Sequence, residues 1–143
     1  MRKFNLPIKA EVILYTVQDK IFNFLLLKRI SNEGGFWQPL TGTLESQESL
    51  EECIYREIKE EIGLERNDIK KIDDMFLSFD WRKNRLTNIK EFVFAAELIR
   101  GSKILLGEEH DDYRWCSFEE SIVLLGKKNN KRAFSEFKRK FMG

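Results

Sequence analysis

The chain has 143 residues, 42% of them apolar, with 25 Lys plus Arg against 24 Asp plus Glu, a net charge of +1. That length carries one domain around one sizeable core, and the apolar content excludes a disordered chain. The near-balance of charge argues against a dedicated nucleic-acid binder, which needs a strong basic excess, so the expected partner is a small molecule. Met1-Arg2-Lys3 is basic, but the apolar run from Val12 to Val17 is short and follows Glu11, unlike a signal peptide. No apolar run approaches the roughly 18 residues of a membrane span. Cys53 and Cys116 fall in predicted elements and read as free buried thiols, so a cytoplasmic protein with no membrane partner is expected. Without repeats or low-complexity linkers, residues 1–143 read as one unit of unassigned oligomeric state.

Lys9 to Val17 is rich in Val, Ile and Tyr and predicts a strand, with a turn at Asp19-Lys20. Ile21 to Leu27 is a second strand, almost continuously apolar, as in a sheet covered on both faces. It ends in Lys28 and Arg29, which either meet substrate phosphates or form a solvated strand end. After the loop Ser31 to Gly35 comes Phe36-Trp37-Gln38-Pro39. Its aromatics either stack on a substrate ring or pack on the sheet. Leu40 to Leu44 leads into the next helix, with Gly42 at a turn where backbone can approach a ligand.

That helix starts near Ser49, where Ser49 and Glu52 have the spacing of a capping box, and stops at Gly63. At about 100° per residue from Leu50, Cys53, Ile54 and Ile58 fall near 300°, 40° and 80° and define the buried face. Glu57 falls near 340°, Glu61 near 20° and Glu60 near 280° on the same count. Carboxylates therefore stand where core side chains belong. Burying an unpaired carboxylate costs several kcal/mol or forces it to take up a proton, and crowded carboxylates repel one another. A divalent cation relieves both costs, and Mg²⁺ or Mn²⁺ suits oxygen ligands. Arg56, near 240°, either holds these carboxylates or simply pairs with Glu52 four residues back.

Ile72 to Phe79 and Ile89 to Leu98 predict two further strands. The polar link Asp80 to Arg85 between them reads as a hairpin tip, which either brings Trp81, Arg82 and Arg85 to the ligand or, the favoured reading, is solvated. Ile104 to Leu106 reads as a short strand and Tyr113 to Cys116 as a longer one. Between these two, Glu108 to Asp112 forms an acidic loop holding the chain's single histidine, and Glu109 there is a candidate fourth metal carboxylate. Ser117 and Glu120 open a helix ending at Gly126. Asn129 or Asn130 caps the last helix, whose Phe134, Phe137 and Phe141 stripe amid Lys and Arg predicts a docked surface helix. Strands interleaved with helices give an α/β or α+β layered class.

From Gly42 to Leu64 the chain resembles the Nudix box, G-x5-E-x7-R-E-U-x-E-E-x-G-U with U aliphatic, at every fixed position. Those positions are Gly42, Glu48, Arg56, Glu57, Ile58, Glu60, Glu61, Gly63 and Leu64. The resemblance implies a mixed sheet sandwiched between helices and Mg²⁺- or Mn²⁺-dependent hydrolysis of a nucleoside diphosphate linked to a further group. It implies Glu57, Glu60, Glu61 and the Gly42 carbonyl as metal ligands, with Glu57 or Glu109 as general base. Phe36-Trp37-Gln38, Thr41-Gly42, Glu109-His110 before Tyr113 and Trp115, Arg132-Ala133 and Phe137 are similar to the dihydroneopterin triphosphate (and dATP) pyrophosphohydrolase branch. That likeness implies a nucleoside or pterin triphosphate cut to a monophosphate and pyrophosphate. Dinucleoside polyphosphates and ADP-ribose are the alternatives within the family, and a non-catalytic nucleotide- or RNA-binding module is the alternative outside it.

Overall fold

The first apolar runs pair at once. In the computed structural model, which describes residues 7–143, β1 (Ile8–Gln18) turns into β2 (Ile21–Arg29). The turn residues Asp19 and Lys20 both have positive φ, 53° and 65°, the backbone twist that a two-residue hairpin needs. Met1-Arg2-Lys3 lies outside the described residues. β1 is the centre of the sheet. One edge runs parallel to β6 (Thr87–Leu98) along Ile8 to Tyr15. The other edge is shared between β2, opposite Leu14 to Gln18, and the antiparallel β4 (Leu40–Thr43), opposite Lys9 to Val12. β1 and β2 therefore part beyond Leu14. The gap is bridged by β3 (Trp37–Gln38) on β2 and β4 on β1, with Pro39, which has no N–H to donate, at the crossing. β5 (Ile69–Asn84) flanks β6, and β7 (His110–Cys116) covers the outer edge of β2.

Strand alternation splits the core in two. Ala10, Val12, Leu14, Leu25, Leu27 and Leu40 pack on one face against Cys53, Ile54, Ile58 and Ile62 of α1 (Leu50–Ile62). Ile13, Tyr15, Phe24 and Leu26 pack on the other against α2 (Phe118–Leu124) and α3 (Lys128–Phe141). Phe137 anchors α3 there, edge-on to Tyr15 at 4.9 Å and to Phe24 at 5.2 Å between ring centres. The result is the expected mixed sheet between helices, an α+β fold. Among the described residues no helix is long and apolar enough to cross a membrane.

Several local expectations are corrected. Gly42 is not at a turn: it lies inside β4, opposite Ala10, and the turn follows at Glu45–Glu48. β5 runs on past Phe79 to Asn84, so Trp81 and Arg82 belong to a strand and the tip shrinks to Arg85-Leu86. Ile104–Leu106 is not a strand. Its neighbourhood instead satisfies the end of α1, with Leu105 N–H donating to the Ile62 carbonyl and Gly107 N–H to that of Glu61, each at 2.9 Å. β7 begins at His110, so Asp111 and Asp112 are strand residues. α2 ends at Leu124, short of Gly126. α3 is entered from Lys127 without a side-chain cap, because Asn130 is drawn inward to donate from Nδ2 to the buried Glu11 at 3.2 Å.

Candidate active site

The site is built on the inward stripe of α1. Ser49 and Glu52 close the capping box that starts the helix, and Gly63 ends it with a left-handed φ of 73°. Between them Cys53, Ile54, Glu57, Ile58, Glu61 and Ile62 are buried. Glu57 and Glu61 are 8% and 6% exposed, while Glu60 stands at the rim. One carboxylate oxygen from each of the three lies within 4.8 Å of the others. An all-oxygen set with this excess of negative charge suits a hard divalent cation. Burial pushes the Glu57 carboxyl up to about 7 against the pull of Arg56, with Glu60 and Glu61 adding to the rise.

Arg56 is the clamp, not a mere partner of Glu52. Its Nε and Nη2 grip both oxygens of Glu48 at 2.6 and 3.0 Å, and Nη1 donates to Glu57 at 2.8 Å and Glu60 at 3.2 Å. Nη2 also reaches the Thr43 carbonyl at 2.9 Å, tying the helix to the end of β4. The guanidinium holds the Glu48 carboxyl down to about 2. Gly42 explains how Glu57 fits. A Cβ at that position would stand 2.1 Å from Glu57 Cγ and 2.7 Å from its Oε2, so the carboxylate lies flat on bare backbone.

His110, 4% exposed, joins this cluster to a cleft. Its Nδ1 faces Glu61 Oε1 at 3.1 Å. A carboxylate only accepts, so Nδ1 carries the proton and Nε2 is left to accept from Gln38 Nε2 at 3.2 Å. Gln38 lines a cleft of about 570 Å³ where β1 and β2 part, closed by β5, β6 and the start of α3. Lys9, Arg29, Lys83, Lys127 and Lys128 ring it, and Phe36 and Trp81 give it flat apolar walls. A second depression, beside Tyr55 and Arg66 on the outer side of α1, is lined by none of the three carboxylates.

The sequence-predicted residues therefore divide. Glu57, Glu60, Glu61, Arg56 and Gly42 come together. Arg29 and Gln38 line the cleft. Lys28 is half-buried opposite Trp37 and Asp112, away from the cleft lining, and Trp37 packs into the core beside α2 and α3. Glu109 stays outside the carboxylate cluster and accepts from Arg29 Nη1 at 3.4 Å. Sequence reasoning gave His110 no role and favoured solvent over the ligand for Trp81, which in fact lines the cleft. The signal for His110 was its being the lone histidine, two residues from Glu108 and one from Glu109.

A NUDIX domain model matches residues 6–137. The chain belongs to the Nudix family. It is 28% identical to the dihydroneopterin triphosphate diphosphatase of Haemophilus influenzae over 135 residues, covering 87% of this chain and 85% of that one. It is 27% identical to an RNA pyrophosphohydrolase of Campylobacter jejuni, covering 86% and 85%. Among solved structures it superposes on the binary complex of a C. elegans Ap4A hydrolase with a TM-score of 0.81 at 21% identity, covering 93% of this chain and 96% of the other. This Nudix protein is accordingly an enzyme, a pyrophosphohydrolase that cleaves a diphosphate linkage in a nucleotide-linked substrate.

Proposed function

We propose that this Nudix enzyme cuts a nucleoside or pterin triphosphate into a monophosphate and pyrophosphate with Mg²⁺ or Mn²⁺. The observation that carries the reading is continuity: one hydrogen-bonded line, Glu61–His110–Gln38, runs from the carboxylate cluster into a cationic cleft. Glu57, Glu60, Glu61 and the Gly42 carbonyl would hold the ion. When bound, it neutralises phosphate oxygens and lowers the pKa of a coordinated water. The protein's own groups do the rest. Arg29 and Lys9 neutralise the chain of phosphates in the cleft. Glu109 holds the Arg29 guanidinium in place. Glu57 and Glu109 are the two carboxyls for accepting the proton of the attacking water. Glu57 is the better placed, since it lies inside the carboxylate cluster, whereas Glu109 stands outside it on Arg29. The free buried thiols Cys53 and Cys116 support a reducing, cytoplasmic setting.

The test is a substrate panel of dihydroneopterin triphosphate, the deoxynucleoside triphosphates, Ap4A, ADP-ribose and 5′-triphosphorylated RNA, with and without Mg²⁺. Pyrophosphate released from a small triphosphate is the expected product. Release of ATP or ADP from Ap4A, AMP from ADP-ribose, or pyrophosphate from RNA alone would replace this substrate class. Metal-independent binding without turnover would replace catalysis.

A pH dependence follows from Glu57. Its carboxyl is raised in the fold from 4.5 to about 7, so in the absence of a cation it contributes stability below pH 4.5 that is lost as pH rises to 7. A cation needs the ionised form. Apparent Mg²⁺ or Mn²⁺ affinity should therefore drop about tenfold per pH unit below 7 and level off above it, with a proton released on binding. Titration calorimetry in two buffers of different ionisation enthalpy reads both the affinity and the proton.

A further inference from the structure

Arg56 orients two of the three clustered carboxylates and leaves one. Its Nη1 donates to Glu57 and Glu60, but among the described residues Glu61 receives no such bond from it. Burial alone does not fix where the oxygens of a glutamate point, because its last torsion is broad. Glu61 needs a donor of its own, and the segment from Leu105 to His110 brings one. Gly107 N–H donates to the Glu61 carbonyl at 2.9 Å, and His110 Nδ1 meets Glu61 Oε1 at 3.1 Å, so one segment grips this residue by backbone and by side chain. The approach is close: a Cβ on Gly107 would stand 2.5 Å from the Glu60 carbonyl oxygen. The far end of the segment is tied to β2. There Ile30 N–H donates to the Glu109 carbonyl at 3.2 Å, and β7 carries one extra residue between the pairs Lys28–Asp112 and Arg29–His110. A bulge of that kind re-aims a side chain. The ring so placed is 4% exposed, with Glu61 on one nitrogen and Gln38 Nε2, 3.2 Å away, on the other. An apolar side chain would fill the space more simply, since a buried imidazole must find a partner for each nitrogen.

We infer that His110 is the positioning residue of Glu61: its Nδ1–H fixes the direction of that carboxylate, as Arg56 does for Glu57 and Glu60, and Gln38 fixes the tautomer. The inference rests on the hydrolase reading above and adds a residue to its site. A neutral imidazole carries one proton, on either nitrogen, and the hydrogen bond made by one nitrogen decides the state of the other. The Gln38 amide donates to Nε2, so the proton is held on Nδ1 and aimed at Glu61. With Oε1 engaged in this way, the carboxylate meets a cation already turned, and its ordering is not left to the moment of binding.

The first measurement uses the wild-type chain in EDTA. His110 is its only histidine, so long-range ¹H–¹⁵N spectra read a single ring. A proton on Nδ1 is expected, and a ring without one overturns the inference. The second titrates Mn²⁺ alone into wild type, His110→Leu, His110→Asn and His110→Gln by calorimetry. Leucine removes the donor, and Mn²⁺ should bind about 10- to 100-fold more weakly, the usual loss when the partner of a metal ligand is removed. Asparagine places an amide N–H where Nδ1 stands and should recover most of that affinity. Glutamine carries its amide further, toward Gln38, and should not. Wild-type Mn²⁺ affinity in His110→Leu, or equal losses in the leucine and asparagine variants, overturns the inference. If the leucine variant fails to fold, the asparagine–glutamine difference and the spectrum decide the matter. Unchanged Mn²⁺ affinity across the variants with metal-dependent hydrolysis intact sinks the role of His110 and leaves the hydrolase reading standing. The expected order of affinities in a protein that hydrolyses no triphosphate does the reverse.

Discussion

Glu61→Gln should lower Mg²⁺-dependent turnover by on the order of 10³-fold, beyond the 10- to 100-fold typical of groups that only support a metal ligand. Glutamine keeps the volume and one carbonyl oxygen toward His110 Nδ1, so the 3.1 Å contact can persist. What it removes is one of the negative charges that the cluster offers to a cation. The same change relieves repulsion among Glu57, Glu60 and Glu61, so the metal-free protein should melt no lower than wild type. Glu60→Gln should act in the same direction from its exposed position. Steady-state rates at saturating Mg²⁺ and melting curves in EDTA test the pair of statements together. Wild-type turnover in either variant would remove the carboxylate trio from the reaction.

How much of this was legible depends on how local each signal is. The inward carboxylates of α1 could be read because one helix carries the whole pattern, and its period converts spacing directly into direction. Both capping boxes were legible for the same reason. The chain crossing from β2 to β1 at Pro39 was not, because it depends on where two strands part in space, and so Gly42 was mistaken for a turn residue. Trp81 was placed in solvent because Asp80 to Arg85 is polar, whereas pairing with β6 extends the strand and turns the indole to Glu91. Trp37, the more conspicuous aromatic, went to the core instead. His110 and Gln38 are 72 residues apart, and their contact exists only once β3 and β7 both lie on β2. Glu11 puts a carboxyl inside an otherwise apolar strand, but its hydrogen-bond partner Asn130 comes from α3 and shares no spacing with it.

Gly42→Ala tests the close approach on which the cluster depends. At this position φ is not in the left-handed region, so alanine meets no backbone strain, and replacing glycine in a strand costs the sheet nothing. β4 is held by pairing with β1 and by buried Leu40, and α1 is held by Ile54 and Ile58, so neither backbone yields easily to a methyl group. The methyl would stand 2.1 Å from Glu57 Cγ and 2.3 Å from its carboxyl carbon, far inside contact distance. Glu57 is the part that must move, and in moving it leaves Arg56 Nη1, 2.8 Å away, and the oxygen cluster with Glu60 and Glu61. The expected result is a loss of about a hundredfold or more in turnover, in line with a misplacement of about 1 Å at a reacting centre. Mg²⁺ affinity should weaken in parallel while the melting temperature moves by only a few degrees. Gly126→Ala is the control, since its methyl meets nothing nearer than Phe36 Cβ at 3.5 Å. Gly42→Ala with undiminished turnover would mean that Glu57 acts from some other place, and the geometry of the cluster as described would not be the catalytic one.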